Sequence, residues 1–383
     1  MKIKSHNLYI NSLFMPGVIQ CEDGRINAVL PYESEADLDF GEMRVVPGFI
    51  DIHCHGAYGF DTNYGEPEGL RQWTRGIVRE GVTGFLATTV TEAKPVLLKA
   101  VRNVREVCEQ GYEGARILGI HFEGPYLDMK YRGAQPPEAI VPPSVEEFQE
   151  YQEAAGGLIR VITLAPEHDP DYRLTRYASS HGTIVSIGHS AASFTDGLMA
   201  AANGAQSITH TYNAMSPYNH RENGIVGLAL RMKNMYSEII CDCCHSTPEA
   251  LHVFFHAKNP GKAVMITDSL MCKGFEPGTT FLFGGHEVII YPDGSAHLVQ
   301  EKNLAGSTLS MNVGLRNLVT RAMVPFEDAL AACTVNPASL LRLDDHLGMI
   351  QAGYDADMAV LDDSYNVVET FVKGIPQLNS SLR

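Results

Sequence analysis

The sequence predicts an α/β protein made of a (β/α)8 TIM-like barrel and a small β-sandwich domain built from both chain ends. Three observations predict this fold: eight short apolar strands, helical patterns between most of them, and further strand-like segments at both ends. Continuous apolar runs are typical of strands buried on both faces of a parallel sheet. Eight strand–helix units over about 250 residues or more indicate a closed barrel. An open doubly wound sheet is the alternative, but its G-x-G-x-x-G fingerprint does not follow the first strand.

The predicted barrel occupies residues 45–349. Its strands are bounded by polar residues, glycine or proline, and they are predicted over Val45–Asp51, Gly84–Val90, Ile117–His121, Ile159–Leu164, Thr183–Ile187, Ser207–Thr209, Glu238–Cys241 and Ala263–Thr267. Helices are predicted between them over Glu66–Glu80, Lys94–Gln110, Val145–Ala155, Tyr172–Ser180, Thr195–Ala202 and Pro248–Ala257. The segment near residues 280–299 contains the turn sequence YPDGS and predicts a β-hairpin inserted before the last barrel helix.

Residues 1–44 and 350–383 have a different pattern, in which short strands alternate with turns. Gly24–Val29 is an example near the start, and Asp357–Asp362 and Val367–Lys373 are examples near the end. Neither end could bury one face of a sheet alone. We therefore expect the two ends to form the small β domain together.

The 383-residue chain is acidic, because 29 Lys and Arg residues against 45 Asp and Glu residues give a formal charge of −16. Such a charge disfavours nucleic-acid binding through the general electrostatic field. No apolar run approaches the roughly 18 residues of a membrane helix, and the start of the chain lacks the features of a signal peptide. The eight cysteines are dispersed, which is typical of cytosolic thiols. We expect a cytoplasmic protein with no nucleic-acid or membrane partner.

Two histidines at the end of the first predicted strand give the strongest chemical signal. In the sequence DIHCHG at residues 51–56, His53 and His55 lie on one face of a strand, because alternate side chains point the same way. Two imidazoles at the carboxyl end of a barrel strand form half of a metal site. The alternative interpretation is two ordinary histidines before a turn.

Four further residues with metal-binding side chains follow predicted strands. Glu123 follows the third strand, His189 the fifth, His210 the sixth and Asp268 the eighth. Each alone has a simpler interpretation, as a capped strand end, a core histidine or a helix cap. In a closed barrel, however, these strand ends meet at one mouth. Four imidazoles and two carboxylates favour Zn²⁺ or Fe²⁺ over Ca²⁺ or Mg²⁺, and they could hold one or two divalent ions.

Motifs along the chain resemble a known family. PGFIDxHxHG at residues 47–56 and ADMAVL at residues 356–361 resemble the opening metal motif and the closing strand of the amidohydrolase superfamily. HFEGP at residues 121–125, GHS at 188–190 and THxYNAM at 209–215 together resemble the N-acetylglucosamine-6-phosphate deacetylase family. Asp268 and GSTL at residues 306–309 continue the resemblance, which covers essentially the whole chain.

This resemblance implies metal-assisted hydrolysis of the acetamide of N-acetylglucosamine 6-phosphate, to glucosamine 6-phosphate and acetate, in amino-sugar catabolism. A metal ion lowers the pKa of bound water from 15.7 to around 7, which supplies hydroxide at neutral pH. Asp268 would take the proton of that water and pass it to the leaving amine. Glu123 would bridge the ions if two are bound. The implied metal ligands are His53, His55, Glu123, His189, His210 and Asp268.

The resemblance also implies substrate contacts. Asn213, Ala214 and Arg221 occupy positions that contact the phosphate in the family, and His245 occupies the position of a substrate-binding histidine. The family pattern D-G-x-H reads DCCH here at residues 242–245. Some members carry a histidine where this chain has Gln135, whose amide can donate a hydrogen bond to a carbonyl but cannot carry a positive charge. The family further implies a homodimer, in which some of these contacts would cross the interface.

Three alternative functions are left open by the sequence. The substrate could be the galacto epimer, N-acetylgalactosamine 6-phosphate, since one hydroxyl separates the two sugars. The chain could be another amidohydrolase, such as one acting on a cyclic amide, although Glu123 in the bridging position and Arg221 argue against it. A non-catalytic relative is the third alternative, but such relatives usually lose metal ligands, and the six candidates are intact here.

Overall fold

The computed structural model describes residues 1–379, and it confirms the predicted barrel with a sheet domain built from the chain ends. Residues 380–383, the end of the predicted 350–383 segment, lie outside the described residues. The eight barrel strands are Phe49–Cys54, Val82–Thr88, Arg116–Glu123, Ile159–Leu164, Ile184–Ile187, Ala205–Ile208, Ser237–Ile240 and Ala263–Ile266.

The barrel strands follow one another around the barrel in chain order, and the paired strands are parallel. The sixth and seventh strands are joined by a hydrogen bond from Ile208 N to Tyr236 O of 3.1 Å. The eighth strand meets the first through a hydrogen bond from Asp268 N to His53 O of 2.8 Å. The carboxyl ends of all eight strands therefore surround one mouth.

The segment predicted as one strand over Val45–Asp51 forms two strands. Arg44–Pro47 belongs to the sheet of the end domain and Phe49–Cys54 to the barrel, with Gly48 between them. A Cβ at Gly48 would lie 2.3 Å from side-chain atoms of Thr83, so only glycine fits here. The first metal strand is thus a direct continuation of the end domain.

The helices predicted between strands are present with ends shifted by at most a few residues, and further helices lie after the sixth and eighth strands. Trp73 in the first helix packs against Phe85 in the second strand, with ring centroids 4.7 Å apart. The α-helices are Pro67–Ile77, Lys94–Gln110, Val145–Ala154, Arg173–Ser180, Phe194–Ala202, Gly224–Arg231, Pro248–Ala257, Met311–Thr320, Phe326–Cys333 and Val335–Leu340. Within residues 1–379, no helix is long and apolar enough to cross a membrane.

The insertion near residues 280–299 is a three-stranded antiparallel sheet rather than a two-stranded hairpin. Its strands are Thr280–Phe283, His286–Ile290 and Ala296–Leu298. Their buried side chains pack with Leu270, which follows the eighth barrel strand. The insertion therefore lies against the mouth of the barrel.

Strands from both chain ends form one eight-stranded sheet. Arg44–Pro47 pairs with Met358–Leu361, which brings the start of the barrel next to the end of the chain. The sheet folds back on itself. Arg25, the first residue of the strand Arg25–Leu30, forms a bridge with Asp355, which lies just before the strand Met358–Leu361. The strands are Lys2–Ile10, Leu13–Glu22, Arg25–Leu30, Leu38–Asp39, Arg44–Pro47, Met358–Leu361, Val367–Val372 and Ile375–Pro376.

Candidate active site

The six predicted metal ligands lie together at the carboxyl ends of barrel strands and are at most 9% exposed. His53 lies in the first strand and Glu123 ends the third, whereas His55 and the other three ligands lie one or two residues past a strand. Their potential ligand atoms form two groups, each within 4.8 Å: His53, His55 and Asp268 in one group and Glu123, His189 and His210 in the other.

Glu123 lies between the two groups. Its Oε1 is 3.3 Å from Nε2 of both His189 and His210, and 3.4 Å from Nε2 of His53. Its Oε2 is 3.5 Å from Nε2 of His55. One carboxylate thus contacts all four candidate imidazoles, which is the position that a bridging ligand requires.

Asp268 closes the group formed by the first strand. Its Oδ1 lies 3.2 Å from Nε2 of His55 and 3.6 Å from Nε2 of His53. The hydrogen bond from Asp268 N to His53 O joins the two strand ends. This carboxylate therefore faces both histidines of the H-x-H motif.

The donor set fits divalent metal ions. Glu123, Asp268 and a further carboxylate, Glu238, are buried, and within residues 1–379 their ion-pair partners are histidines. Burying unpaired carboxylates is costly unless a cation compensates their charge. His53 Nε2 and Glu123 Oε1 are buried and have no hydrogen-bond partner within the described chain. These atoms are available as ligands.

The pKa shifts leave Glu123 and Asp268 ionised and His53 neutral, whereas burial raises the pKa of Glu238 to about 7. Burial would raise the pKa of Asp268, but the charge of His53 and the hydrogen bond from His55 lower it to about 2. Burial would also raise the pKa of Glu123, but His53 and His189 hold it well below its usual range. Burial lowers the pKa of His53 to about 4. Ionised carboxylates and a neutral imidazole are the forms that bind metals.

His210 differs from His53 in its protonation. Burial would lower the pKa of His210, but the hydrogen bond and charge of Glu123 outweigh burial and raise it to about 9. Since an imidazole must lose its proton to coordinate a metal, ion binding at this position would release a proton near neutral pH.

Three candidate ligands have backbones in the left-handed region. The φ angles of His189, His210 and Asp268 are 47°, 27° and 50°. Non-glycine residues rarely adopt such angles, which cost on the order of 1–3 kcal/mol each and cluster at functional sites. The surrounding fold therefore holds these side chains toward the mouth at the expense of stability.

Hydrogen bonds at Nδ1 fix the orientation of two of the imidazole rings. His189 Nδ1 lies 2.9 Å from the carbonyl oxygen of Tyr131, and His53 Nδ1 lies 2.9 Å from Oε2 of Glu238. Glu238 was not predicted as a site residue, because in the sequence it is only the first residue of the seventh predicted strand. The available signal was a glutamate inside a short apolar strand, SEII at residues 237–240.

Gln135 contacts the bridging carboxylate. Its Nε2 donates a hydrogen bond of 2.6 Å to Oε2 of Glu123, and its Oε1 accepts one of 2.8 Å from the backbone N–H of Thr91. The side chain also lines the cleft at the barrel mouth. The structure thus places Gln135 at the site, with its amide engaged by Glu123.

The predicted substrate residues divide into two sets. Asn213, Ala214 and His245 line the cleft of about 520 Å³ above the ligands. His245 Nδ1 lies 2.6 Å from Oδ2 of Asp242, so the altered DCCH segment still orients its histidine. Arg221 is exposed in the loop after the sixth strand and does not line this cleft. Within one chain, the structure does not bring Arg221 to the other site residues.

The chain is similar to characterised hydrolases along nearly its whole length. The Amidohydrolase family model matches residues 44–376. N-acetylglucosamine-6-phosphate deacetylase of Bacillus subtilis (strain 168) is 38% identical over 373 residues, covering 95% of this chain and 93% of the relative. N-acetylgalactosamine-6-phosphate deacetylase of Escherichia coli O157:H7 is 31% identical, covering 93% of each chain.

The fold is also similar to that of a solved structure with substrate. A variant of N-acetyl-D-glucosamine-6-phosphate deacetylase from Mycobacterium smegmatis, in complex with N-acetyl-D-glucosamine 6-phosphate, superposes with a TM-score of 0.93 at 27% identity. The match covers 99% of both chains.

Proposed function

The chain belongs to the amidohydrolase family and, within it, to the N-acetylglucosamine-6-phosphate deacetylases, and from this membership we propose its reaction in detail. It hydrolyses the acetamide of N-acetylglucosamine 6-phosphate to glucosamine 6-phosphate and acetate. The observation that carries this proposal is the position of Glu123, which contacts four imidazoles at the floor of a cleft large enough for a small molecule.

We propose that the two groups of donor atoms hold one or two divalent ions. Nitrogen and carboxylate donors in this number favour Zn²⁺ or Fe²⁺. A divalent ion bound here would lower the pKa of a coordinated water and polarise the acetamide carbonyl. Glu123, His189 and His210 would hold one ion, and His53, His55 and Asp268 would hold the second.

Asp268 is the proposed proton carrier. Its carboxylate is ionised and lies at the floor of the cleft, so it can accept the proton of the attacking water and donate it to the amine nitrogen as the C–N bond breaks. A group with this role must be within hydrogen-bonding reach of both atoms. The position of Asp268 between His55 and the cleft supports that assignment.

The cleft residues are proposed to bind the sugar phosphate. Asn213 and Ala214 would contact the phosphate, and His245 would hydrogen-bond the substrate. Gln135 would donate to Glu123, and through that bond it would help to orient the bridging carboxylate. Because Arg221 lies outside the cleft of its own chain, we propose that it reaches the phosphate of a second copy in a homodimer.

The first test is acetate release from N-acetylglucosamine 6-phosphate by the purified protein, as isolated, after treatment with a chelator, and after addition of Zn²⁺ or Fe²⁺. We expect turnover that the chelator abolishes and the metal restores. The same assay with N-acetylgalactosamine 6-phosphate compares kcat/KM for the epimers, and a higher value for the galacto sugar would reassign the substrate. Absence of turnover with either sugar and any metal would contradict the proposal.

We further propose a cytoplasmic location, which cell fractionation would test.

A further inference from the structure

Glu238 lies beneath the candidate metal site and contacts both groups of ligands. The residue is fully buried in the seventh strand. Its Oε2 lies 2.9 Å from Nδ1 of His53 and accepts a weaker hydrogen bond of 3.3 Å from the backbone N–H of His210. No substrate atom could reach it without passing the ligands, so its influence on the reaction would be indirect.

A third metal site built on Glu238 is not supported by the structure. His53, His121 and Glu238 are close enough to form such a group. The ring of His121 is already engaged on both sides, however, because Nδ1 lies 3.0 Å from the carbonyl oxygen of Ile52 and Nε2 lies 2.7 Å from Oγ1 of Thr163. His121 thus has no free nitrogen for a metal.

The contact with Glu238 determines which nitrogen of His53 is available. An ionised carboxylate only accepts hydrogen bonds, so beside ionised Glu238 the proton of a neutral His53 ring lies on Nδ1. The lone pair is then on Nε2, which points toward Asp268 and Glu123 and has no hydrogen-bond partner within residues 1–379. Carboxylate–histidine pairs of this kind set the tautomer and increase the basicity of metal-binding imidazoles.

We infer that Glu238 is a positioning residue whose hydrogen bond to His53 secures the second ion, the one held by His53, His55 and Asp268. This inference rests on the proposed metal-dependent function. The other ion depends on it much less. His189, one of its ligands, is fixed by the carbonyl of Tyr131, and His210 receives only the backbone contact from Glu238.

The test compares Glu238→Met and Glu238→Gln with the wild-type protein. Methionine fills a similar volume without accepting the hydrogen bond, whereas the glutamine carbonyl can still accept it. Metal-free proteins are titrated with Zn²⁺ by calorimetry, and bound zinc is counted after dialysis. We expect two ions per wild-type chain. In Glu238→Met the second ion should bind about 10–100-fold more weakly while the first is retained, and Glu238→Gln should restore most of that affinity.

A matched control is Glu369→Gln. Glu369 is another buried carboxylate, but it accepts backbone hydrogen bonds in the end domain, far along the chain from the ligands. This variant should bind both ions as the wild type does. A Glu238→Met protein that binds two ions with wild-type affinity would overturn the inference. So would a wild-type chain that binds one ion and still turns over the sugar, although the proposed function would then stand.

A second measurement does not depend on the variants being folded. ¹⁵N-histidine NMR of the metal-free wild-type protein reports which ring nitrogen of His53 carries the proton. We expect protonation at Nδ1, and protonation at Nε2 alone would overturn the inference. A wild-type protein that binds no ion and has no activity would instead refute the proposed function together with this inference.

Discussion

Replacing Asp268 with asparagine tests the proton-transfer step most directly. Asparagine keeps an oxygen that can face His55 and His53, where Asp268 Oδ1 now lies at 3.2 and 3.6 Å. The amide cannot accept and return a proton at neutral pH. Metal coordination and substrate binding should therefore suffer less than the chemical step.

The size of the effect follows from the role. General acid–base catalysis contributes about 10²–10⁴-fold, which is about 2.7–5.4 kcal/mol of transition-state stabilisation at 1.36 kcal/mol for each factor of ten. We expect kcat for acetate release at saturating metal to decrease by about 10²–10⁴-fold, with a smaller change in KM. Zinc content is measured on the same samples, so that the rate is expressed for each metal-loaded chain.

A matched control is Asp169→Asn, since Asp169 is also a buried carboxylate but caps the start of the fourth helix through Leu174 and Thr175. It should reduce stability and leave kcat for each folded chain nearly unchanged. If Asp268→Asn retained kcat within a factor of ten while binding metal normally, Asp268 could not be the proton carrier and the reasoning would be refuted.

Three further predictions concern a contact at the site, a buried ion pair and the exposed Arg221. Gln135→Ala removes the donor to Glu123 and leaves buried polar groups unpaired, which costs about 1–3 kcal/mol for each group. The variant should therefore have a lower melting temperature and a lower kcat/KM, and unchanged values would argue against that contact. Lys273 Nζ lies 2.9 Å from Oε1 of Glu80, so Lys273→Met leaves Glu80 as a buried charge without an opposite charge. Urea unfolding should show that the free energy of unfolding falls by about 3–5 kcal/mol, and a change near zero would contradict the pairing. Arg221→Ala should raise KM for the sugar phosphate with little change in kcat, and an unaltered KM would exclude a phosphate contact from either copy.

The barrel strands were predictable because their apolar runs are short and end at polar residues. The first barrel strand was predicted to begin too early in the chain, because residues 45–51 form one largely apolar run. The break at Gly48 is caused by the close approach of Thr83, which is distant in sequence. The helix Gly224–Arg231 was missed, and of the three helices after residue 310 only one, the last barrel helix, was predicted, without bounds. The contact between Gly48 and Thr83 joins residues that are distant in sequence, so local composition could not predict the break in the strand.

The candidate ligands could be proposed from the sequence because each follows a strand, and a barrel brings such positions together. Two features of the site could not be found in this way. The left-handed backbones of His189, His210 and Asp268 depend on the packing of neighbouring loops. Asp and His adopt that region more often than most residues, but the sequence alone does not mark these three positions. Glu238 became visible only when its carboxylate was found against the ring of His53.

The pairing of Arg44–Pro47 with Met358–Leu361 has a consequence for how the protein matures. The strand that carries His53 continues directly from Arg44–Pro47, whose neighbour in the sheet is synthesised some three hundred residues later. On the ribosome, the early H-x-H motif must therefore wait for nearly the entire chain to emerge before its supporting strand is anchored on both sides. We expect acquisition of metal at His53 to be a late, post-translational event, and nascent chains that lack the final strands to depend on chaperones.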